Sequence, residues 1–217
     1  MSGYIVSALC AGKPAKLPGG QTSAIAKVPR HGSVNMTYLG LAGDTQVNTK
    51  YHGGPDMAVH LYPLAHREFW RQTIGDHPAL EEPGAFGSNL AVDAIVESEV
   101  RLGQRFRLGS SVLEVSQPRM PCATIERRFG YSGMVKAILE SGRCGWYFRV
   151  LEEGEAKAGD MLEPLEEAAT DISIAAIFTA LADPAGTPDR ALITVLADSA
   201  ILGADWRKRA VKRAERL

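Results

Sequence analysis

Apolar and polar residues alternate over short segments in the first three quarters of the chain, and glycines separate these segments. Alternation with a period of two is typical of β-strands that bury one face. One such face carries Val100, Leu102, Gln104, Phe106 and Leu108, and Gly109 and Ser110 follow it. A second apolar run comes directly after these two turn residues, so the segment predicts a β-hairpin.

Another strand is predicted over residues 57–62, which read MAVHLY. Its alternation places Ala58, His60 and Tyr62 on one face and three apolar side chains on the other. The face of His60 is therefore the one that we expect to border a functional site.

Two helices interrupt this β pattern. Residues 63–75 begin with Pro63 and end at Gly75, and residues 131–142 carry an apolar stripe that ends at Gly142. Proline in the first turn and glycine after the last turn are typical helix boundaries. The fold class is therefore expected to be mainly β with helical insertions, a strand-rich barrel.

The pattern changes near residue 165. The acidic residues 151–171 predict a strand pair followed by a solvated linker, and three short helices are expected near 171–183, 188–199 and 203–214. Asp171 and Asp189 are the expected N-caps of the first two helices. We therefore expect a β-barrel domain over residues 1–165 and a small all-α, three-helix domain over residues 166–217.

Composition narrows the class of protein. A hydrophobic content of 45% can fill a core, and a net charge of −1 gives no overall attraction to nucleic acid or to a membrane. Because the chain has neither a signal-like N-terminus nor a long apolar run, we expect a cytoplasmic protein. Three cysteines without a C-x-x-C pair argue against a disulfide scaffold, an iron–sulfur site and a zinc ribbon.

Consecutive glycines beside a histidine form the first candidate site. At His52, Gly53 and Gly54 the missing side chains let backbone N–H groups approach a ligand, which suits an anion. The alternative is a tight turn, with His52 and His60 bonded only to the backbone. Zinc at these two histidines is disfavoured, because their spacing does not match helical or knuckle ligands.

Cys122 is the second candidate. Pro118 and Pro121 hold the chain extended around it, and Arg119 brings a positive charge that favours the thiolate, the form that attacks electrophiles or binds soft metals. The alternative is an inert buried thiol, which is the interpretation given to Cys10 and Cys144. The residues alone leave these readings of Cys122 open.

Six segments taken together resemble the motifs of a known family. They read SAIAK (23–27), LGLAGDTQ (39–46), HGGPDMAVHLYP (52–63), FGSNL (86–90), SQPRMPC (116–122) and GRCGWYFRV (142–150). In this order they resemble the MOSC domains, which are similar to the C-terminal part of molybdenum cofactor sulfurases. The likeness is strongest to the stand-alone YiiM-type branch, which carries a three-helix C-terminal domain.

The resemblance implies a β-barrel that binds the molybdenum cofactor, molybdopterin, with the thiolate of Cys122 as a ligand of molybdenum. The cofactor is anionic, which makes lysine, arginine and free backbone N–H groups suitable partners. The residues expected to bind it are Lys27, His52, Gly53, Gly54, His60, Asn89, Gln117 and Arg119. The neutral residues His52, Asn89 and Gln117 have the alternative role of bracing loops.

Two departures from the family matter. Ser88 stands where the family commonly has glutamate, so any role of that acid is in doubt here. The chain also lacks room for the aminotransferase-like domain of full-length sulfurases, so no pyridoxal phosphate is expected. It has no cysteine cluster for a ferredoxin domain, so electrons are expected from a separate, flavin-type reductase.

We therefore expect a cytoplasmic molybdenum-cofactor oxidoreductase that reduces small N-hydroxylated compounds, with hydroxylaminopurine-type base analogues as the substrate class that the resemblance implies. The alternative is a non-catalytic carrier of sulfur or of the cofactor that uses Cys122. A nucleic-acid-binding module is disfavoured, because the chain as a whole is not basic. Neither a stable complex with nucleic acid nor a membrane contact is expected, and the choice between monomer and homodimer is left open.

The C-terminal residues 206–217 read WRKRAVKRAERL. The basic residues there are Arg207, Lys208, Arg209, Lys212, Arg213 and Arg216. On a helix they would cover much of its circumference. One interpretation is a solvated helix end, and the other is a docking patch for an acidic, flavodoxin-like electron donor.

Overall fold

The computed structural model describes residues 3–49, 52–165, 168–183 and 189–217. The first strands are β1 (Tyr4–Ala11), β2 (Ala15–Lys16), β3 (Thr22–Ser23), β4 (Val28–Pro29), β5 (Val34–Thr37), β6 (Gly40–Leu41), β7 (Val59–Pro63) and β8 (Leu90–Val92). The later strands are β9 (Arg105–Leu108), β10 (Ser111–Pro118), β11 (Trp146–Glu152), β12 (Gly154–Ala156) and β13 (Met161–Pro164). The helices are α1 (Arg67–Ile74), α2 (Ala123–Phe129), α3 (Met134–Ser141), α4 (Ile174–Leu181), α5 (Arg190–Asp198) and α6 (Ala204–Ala214).

Seven strands close into a barrel, as the sequence predicted. Their order is β13, β9, β10, β11, β7, β8 and β1, and β1 pairs with β13 to close the ring. Every neighbouring pair in the ring is antiparallel except β7 and β8, which run parallel. Closure of the ring pairs β1 with β13, and the far end of β1 pairs outside the ring with β4 at Cys10 and Ala11.

The predicted hairpin forms between β9 and β10, with Gly109 and Ser110 at the turn. Gly109 has φ +58, and a Cβ there would lie 2.0 Å from the carbonyl oxygen of Glu155, so only glycine fits. The strand is shorter than predicted, because β9 begins at Arg105. Val100 precedes the strand and packs into the core from a connecting turn.

The predicted strand pair in the acidic stretch is wrong. Strand β12 pairs with β5, whereas β13 pairs with β9 and β1 in the barrel. The two strands therefore enter different sheets, although only residues 157–160 separate them. The linker predicted after them includes residues 166–167, which lie outside the described ranges.

The two helices predicted in the barrel region are present as α1 and α3. The predicted start of the first helix at Pro63 is wrong, because Pro63 ends β7 and α1 begins at Arg67. Helix α1 ends at Gly75 with φ 76, and α3 ends at Gly142 with φ 68. Helix α2 was not predicted, although Ile125 and Phe129 stand four positions apart on one buried face and Gly130 follows in the left-handed region. This helix begins directly after Cys122.

Three helices follow the barrel, close to the predicted ranges. Asp189 caps α5 as predicted, because its Oδ1 accepts a hydrogen bond from the backbone N–H of Leu192 at 3.0 Å. The prediction of Asp171 as a cap is wrong, because the hydroxyl of Ser173 accepts from the N–H of Ala176 at 3.1 Å. The predicted break between these helices includes residues 184–188, outside the described residues.

Side chains from the barrel and from α4–α6 form one continuous core. Phe106 and Phe148 fill the barrel, and Phe178 packs against Trp206 with ring centroids 6.1 Å apart. The C-terminal helices are therefore docked on the barrel through buried apolar contacts. The division into domains at residues 165 and 166 stays a prediction. Within the described ranges, every helix is too short or too polar to cross a bilayer.

Candidate functional site

A cavity at one end of the barrel, the barrel-end cavity, collects most of the predicted site residues. Its lining includes Lys27, His52, Gly53, His60, Asn89, Arg119 and Cys122. These residues come from five separate stretches of the chain that the barrel brings together. Gly54 and Gln117, which were predicted with them, do not line this cavity.

Cys122 stands between the end of β10 and the start of α2. Its backbone is extended, with φ −135 and ψ 162, and it occupies the N-cap position of the helix. Pro118 ends the strand and Pro121 precedes the cysteine, so the connection has few conformations to lose on folding. The side chain is partly exposed, whereas the other two cysteines are buried.

The surroundings of Cys122 favour the thiolate. Burial raises its pKa, but hydrogen bonds from His52 and Thr124 and the positive charge of Arg119 outweigh this effect. Together they lower the pKa of the thiol from 9.0 to about 6. Most of the thiol is therefore ionised at neutral pH, as a soft metal ligand or a nucleophile requires.

Arg119 is buried beside this thiol, with 5% of its surface exposed. Its backbone N–H donates to the carbonyl of Gly145 at 3.0 Å, and its guanidinium contacts the hydroxyl of Tyr147. Among the described residues no carboxylate pairs with it, and its Nη1 has no hydrogen-bond partner. A buried guanidinium without a carboxylate is costly, so a site of this kind suits an anionic ligand.

Lys27 has a carboxylate partner that the sequence analysis did not single out. Its Nζ donates to Asp44, whose carboxylate also accepts from the backbone N–H of Gly12 at 2.7 Å. Burial lowers the pKa of Lys27, and the charge of Asp44 opposes this effect. The pairing leaves Lys27 less free than Arg119 to neutralise a ligand.

Asn89 uses its amide to hold the cavity together. Its Nδ2 donates to the carbonyl of Cys10 at 3.1 Å and to Asp44 at 2.9 Å, and its Oδ1 accepts from the N–H of His60 at 3.0 Å. The geometry fits the bracing role that the sequence left open. Asn89 therefore ties β1, β7 and the loop of Asp44 together.

His60 is buried with an unpartnered ring nitrogen. Burial, and then the charge of Arg119, lower its pKa well below 6.5, so the ring is neutral at physiological pH. Its ring lies 4.9 Å from that of Tyr147, and its Nε2 has no hydrogen-bond partner within the described parts of the chain. His60 is thus a neutral, buried group of the cavity lining, and its Nε2 lies beside the backbone of Gly145.

The glycine pair adopts backbone conformations that other residues avoid. Gly53 has φ 112 and Gly54 has φ 86, and a Cβ on Gly53 would lie 2.6 Å from Oε1 of Gln46. Gly53 lines the cavity beside His52. Gly54 instead precedes the short 3₁₀ helix of residues 55–57.

Gln117 lies in a second cavity, the α6 cavity, between the barrel end and helix α6. The lining of the α6 cavity includes Met57, Gln117, Met120, Cys122, Asp205, Trp206 and Arg209. Its volume is about 470 Å³. Cys122 therefore stands at the junction of two cavities, one in the barrel end and one against α6.

The other two cysteines and Ser88 line neither of these cavities. Burial raises the pKa of Cys10 to about 11 and that of Cys144 well above 9.0. The hydroxyl of Ser88, 1% exposed, donates to the carbonyl of Pro83 at 3.1 Å. Within the described ranges, the histidines, cysteines and acids form no cluster of three suited to a metal ion.

Sequence reasoning missed three contributors to the site. Asp44 and Tyr147 lay inside quoted motifs, and Thr124 lay in the unpredicted helix α2. The alternation of Trp146, Tyr147 and Phe148 along β11 could have indicated that Tyr147 faces away from the apolar core. Nothing in the sequence pairs Asp44 with a lysine 17 positions away.

Comparison with known proteins agrees with this fold. A family model described as MOSC domain matches residues 48–163. Protein YiiM of Escherichia coli strain K12 is 37% identical over 163 residues, which cover 75% of this chain and 72% of that protein. A Gibberella moniliformis protein named Reductase is 37% identical over 155 residues, which are 71% of this chain but 28% of that protein.

A solved structure resembles the whole chain. The crystal structure of YiiM from Geobacillus stearothermophilus matches with a TM-score of 0.81 and 29% identity, over 97% of this chain and 98% of that one. Its coverage extends over the C-terminal helices as well as the barrel. The family model, the curated relatives and the barrel itself agree, and this chain belongs to the MOSC domain family.

Proposed function

We propose that the protein is a molybdenum-cofactor-dependent reductase of small N-hydroxylated compounds. The observation that carries this proposal is the pair of groups at the barrel end, a thiolate at Cys122 and the buried, carboxylate-free guanidinium of Arg119. A soft metal prefers a thiolate, and an anionic pterin phosphate or dithiolene prefers a desolvated guanidinium. One site offers both.

The residues fit the cofactor to different degrees. Cys122 would ligate molybdenum, Arg119 would neutralise an anionic group, and Nε2 of His60 is a buried atom without a partner among the described residues. Lys27 is already paired with the carboxylate of Asp44, so its proposed role is to adjust the charge of the wall of the barrel-end cavity. When bound, the cofactor supplies a two-electron metal centre for removing oxygen from nitrogen.

The protein's own groups prepare that chemistry. The hydrogen bonds of His52 and Thr124 to Cys122 keep the sulfur ionised and fix its direction before any ligand arrives. The neutral ring of His60 can accept a hydrogen bond at Nε2 without adding charge. Electrons are proposed to come from a separate flavin-type reductase, since a cofactor of this kind must be reduced again after each turnover.

The comparisons support the class of reaction more than the substrate. The relative named Reductase is similar to this chain over 155 residues. The YiiM structure is similar over both the barrel and the C-terminal helices. The N-hydroxylated substrate is the part of the proposal that rests on family resemblance. The proposed location is the cytoplasm.

Purification from a host that makes the cofactor tests the proposal. We expect near-stoichiometric molybdenum and pterin, and reduction of 6-N-hydroxylaminopurine with a viologen as artificial electron donor. If protein loaded with the cofactor does not reduce the purine or other N-hydroxylated compounds, the proposed reductase function is wrong. Metal-free protein with a sulfane sulfur on Cys122 would instead favour the carrier.

A further inference from the structure

The α6 cavity and the barrel-end cavity meet at Cys122 from two directions. Six residues line both cavities, namely Asn48, His52, Met57, Cys122, Thr124 and Tyr147. Lys27 and Arg119 line only the barrel-end cavity. A ligand in the α6 cavity would therefore reach the sulfur past these shared residues without contacting Lys27 or Arg119.

We propose that the α6 cavity binds the body of the substrate, a flat nitrogen heterocycle, with its N-hydroxyl group toward Cys122. The inference rests on the proposed reductase function and adds the substrate site and its specificity residues. The three-helix region thereby becomes part of the active site.

The chemistry of the lining selects this class of ligand. Met57 and Met120 supply polarisable thioethers and Trp206 supplies an aromatic side chain, which suit a flat aromatic ring. The volume of about 470 Å³ lies in the range of small-molecule sites. A few polar groups placed among apolar ones are what orient such a ligand.

Two side chains supply those polar groups. Gln117 is 2% exposed, and within the described residues its Oε1 has no hydrogen-bond partner. Arg209 lies on the opposite wall, near the ring of Trp206 at 5.9 Å. The ring nitrogens and amino groups of a heterocycle can pair with an amide and a guanidinium, whereas an aliphatic chain cannot.

The wall formed by α6 is fixed to the barrel close to the cavity. Asp56 accepts hydrogen bonds from Arg149 at 2.7 Å and from the N–H of Ala204 at 3.1 Å, and Arg149 also donates to the carbonyl of Ile201 at 2.8 Å. This partly buried network holds the start of α6 in one position. The cavity is therefore formed before a ligand binds, which lowers the cost of binding.

Gly203 lets the two walls approach each other. Its N–H donates to the carbonyl of Ser116 at 3.1 Å, and a Cβ at this position would lie 1.9 Å from Oε1 of Gln117. Any side chain at residue 203 would displace Gln117 or α6. The shape of the cavity thus depends on a residue of the C-terminal region.

Two kinds of variant test the inference: one that fills the α6 cavity, and two that each remove one basic residue of α6, inside or outside the cavity lining. Met120 lines the α6 cavity but not the barrel-end cavity, so Met120→Trp fills one space and leaves the other. Arg209→Ala removes a cavity group, and Lys208→Ala is its control, because Lys208 is an exposed neighbour outside the lining. The probes are 6-N-hydroxylaminopurine and the ring-free N-hydroxyurea.

Met120→Trp should raise the KM for the purine by about tenfold or more, the effect of losing apolar contact in a pocket. The rise for N-hydroxyurea should be at least about fivefold smaller, since that compound has no ring to exclude. Arg209→Ala should raise the KM for the purine about fivefold, the value of one hydrogen bond, and Lys208→Ala should not. Equal changes for both probes, or none, would overturn the inference.

Calorimetry separates this inference from the proposed function. With loaded protein and no electron donor, the purine should bind the wild type and bind Met120→Trp at least about tenfold more weakly. If the wild-type protein reduces neither probe, the proposed reductase function is wrong. If Met120→Trp binds the purine as tightly as the wild type does, the α6 cavity is not the substrate site. Unchanged thermal unfolding of each variant is the folding control.

Discussion

Arg119 and Cys122 line the same cavity, three positions apart in the chain, and the buried guanidinium of Arg119 helps to keep the thiol of Cys122 ionised. Arg119 has no carboxylate partner among the residues that the structure describes. Its charge therefore acts on the thiol and on any ligand rather than on a structural ion pair. Burying the charge of Arg119 lowers the stability of the fold, as expected for a group that is retained to bind a ligand.

The first prediction concerns the reactivity of Cys122 in cofactor-free protein. Alkylation by iodoacetamide follows the thiolate, so its rate should rise through a midpoint near pH 6 and level off at neutral pH. His52→Ala should move the midpoint upward, because it removes a hydrogen bond that stabilises the ionised sulfur. Mass spectrometry of modified peptides over pH 5–10 gives the profile.

Cys10 is the internal control for that profile. It is fully buried and its pKa is raised to about 11, so it should stay unmodified while Cys122 reacts. A midpoint for Cys122 near pH 9, equal in the wild type and in His52→Ala, would contradict the electrostatic account of the site.

The second prediction separates function from stability at Arg119. Arg119→Ala should lower the molybdenum content, because the charge-assisted contact to the cofactor is lost and Cys122 is less ionised. Its unfolding temperature should stay the same or rise, because a buried charge without a carboxylate no longer has to be desolvated. Metal analysis and calorimetry on the same samples provide both values.

Lys136→Ala is the matched control for Arg119→Ala, since Lys136 is exposed on α3 and its ion pair among the described residues is a long one, to Glu140 at 3.8 Å. It should change neither value. A large loss of stability in Arg119→Ala without loss of metal would make Arg119 a structural residue.

The third prediction concerns the buried pair of Lys27 and Asp44. Asp44→Asn removes the carboxylate and leaves a buried ammonium group without its partner, which should cost about 3 kcal/mol or more in the free energy of unfolding. Urea denaturation measures this cost. Asp205→Asn is the control, because Asp205 is exposed and should change the free energy by no more than about 0.5 kcal/mol. Equal small effects would show that Asp44 does not hold the wall of the cavity.

The barrel could be predicted because its pattern is local. Alternation marks β7 and β9 in the sequence, Gly109 and Ser110 mark the turn into β10, and Gly75, Gly142 and Asp189 mark ends of helices. These signals act within a few residues of each other. The same locality explains why β12 and β13 were wrongly paired, since their true partners are strands far along the chain.

The site was predicted only in part for the same reason. Cys122, Arg119 and His60 were singled out by residue type and by motif, and the structure brings them together. The pairing of Lys27 with Asp44 depends on the three-dimensional course of the chain. So does the position of Arg209, which was predicted beyond the barrel's motifs but lines a cavity that reaches Cys122.

The fourth prediction tests the metal ligand directly. Cys122→Ser should remove molybdenum and all reductase activity while the protein stays folded, because a hydroxyl has nearly the shape of a thiol but is a poor ligand for a soft metal. Cys10→Ser should keep the metal and change at most the stability, since Cys10 is fully buried in β1 and lines neither cavity at Cys122. Metal retention at the wild-type level in Cys122→Ser would exclude the thiolate as the ligand.

The fifth prediction concerns the basic residues of α6 outside the α6 cavity. Lys212 and Arg216 are exposed and do not line either cavity at Cys122, so they are free to contact an acidic electron donor. The double variant Lys212→Ala/Arg216→Ala should lower turnover with a flavodoxin-like reductase and flatten its dependence on salt, because fewer charges steer the encounter. Turnover with a viologen should stay at the wild-type level.

The control is the double variant Lys136→Ala/Lys157→Ala, which changes two exposed lysines of the barrel region and should leave both activities and the salt dependence unchanged. An equal loss with both donors would place these residues in catalysis or folding rather than in docking, and the same salt dependence as the wild type would exclude α6 as the docking surface.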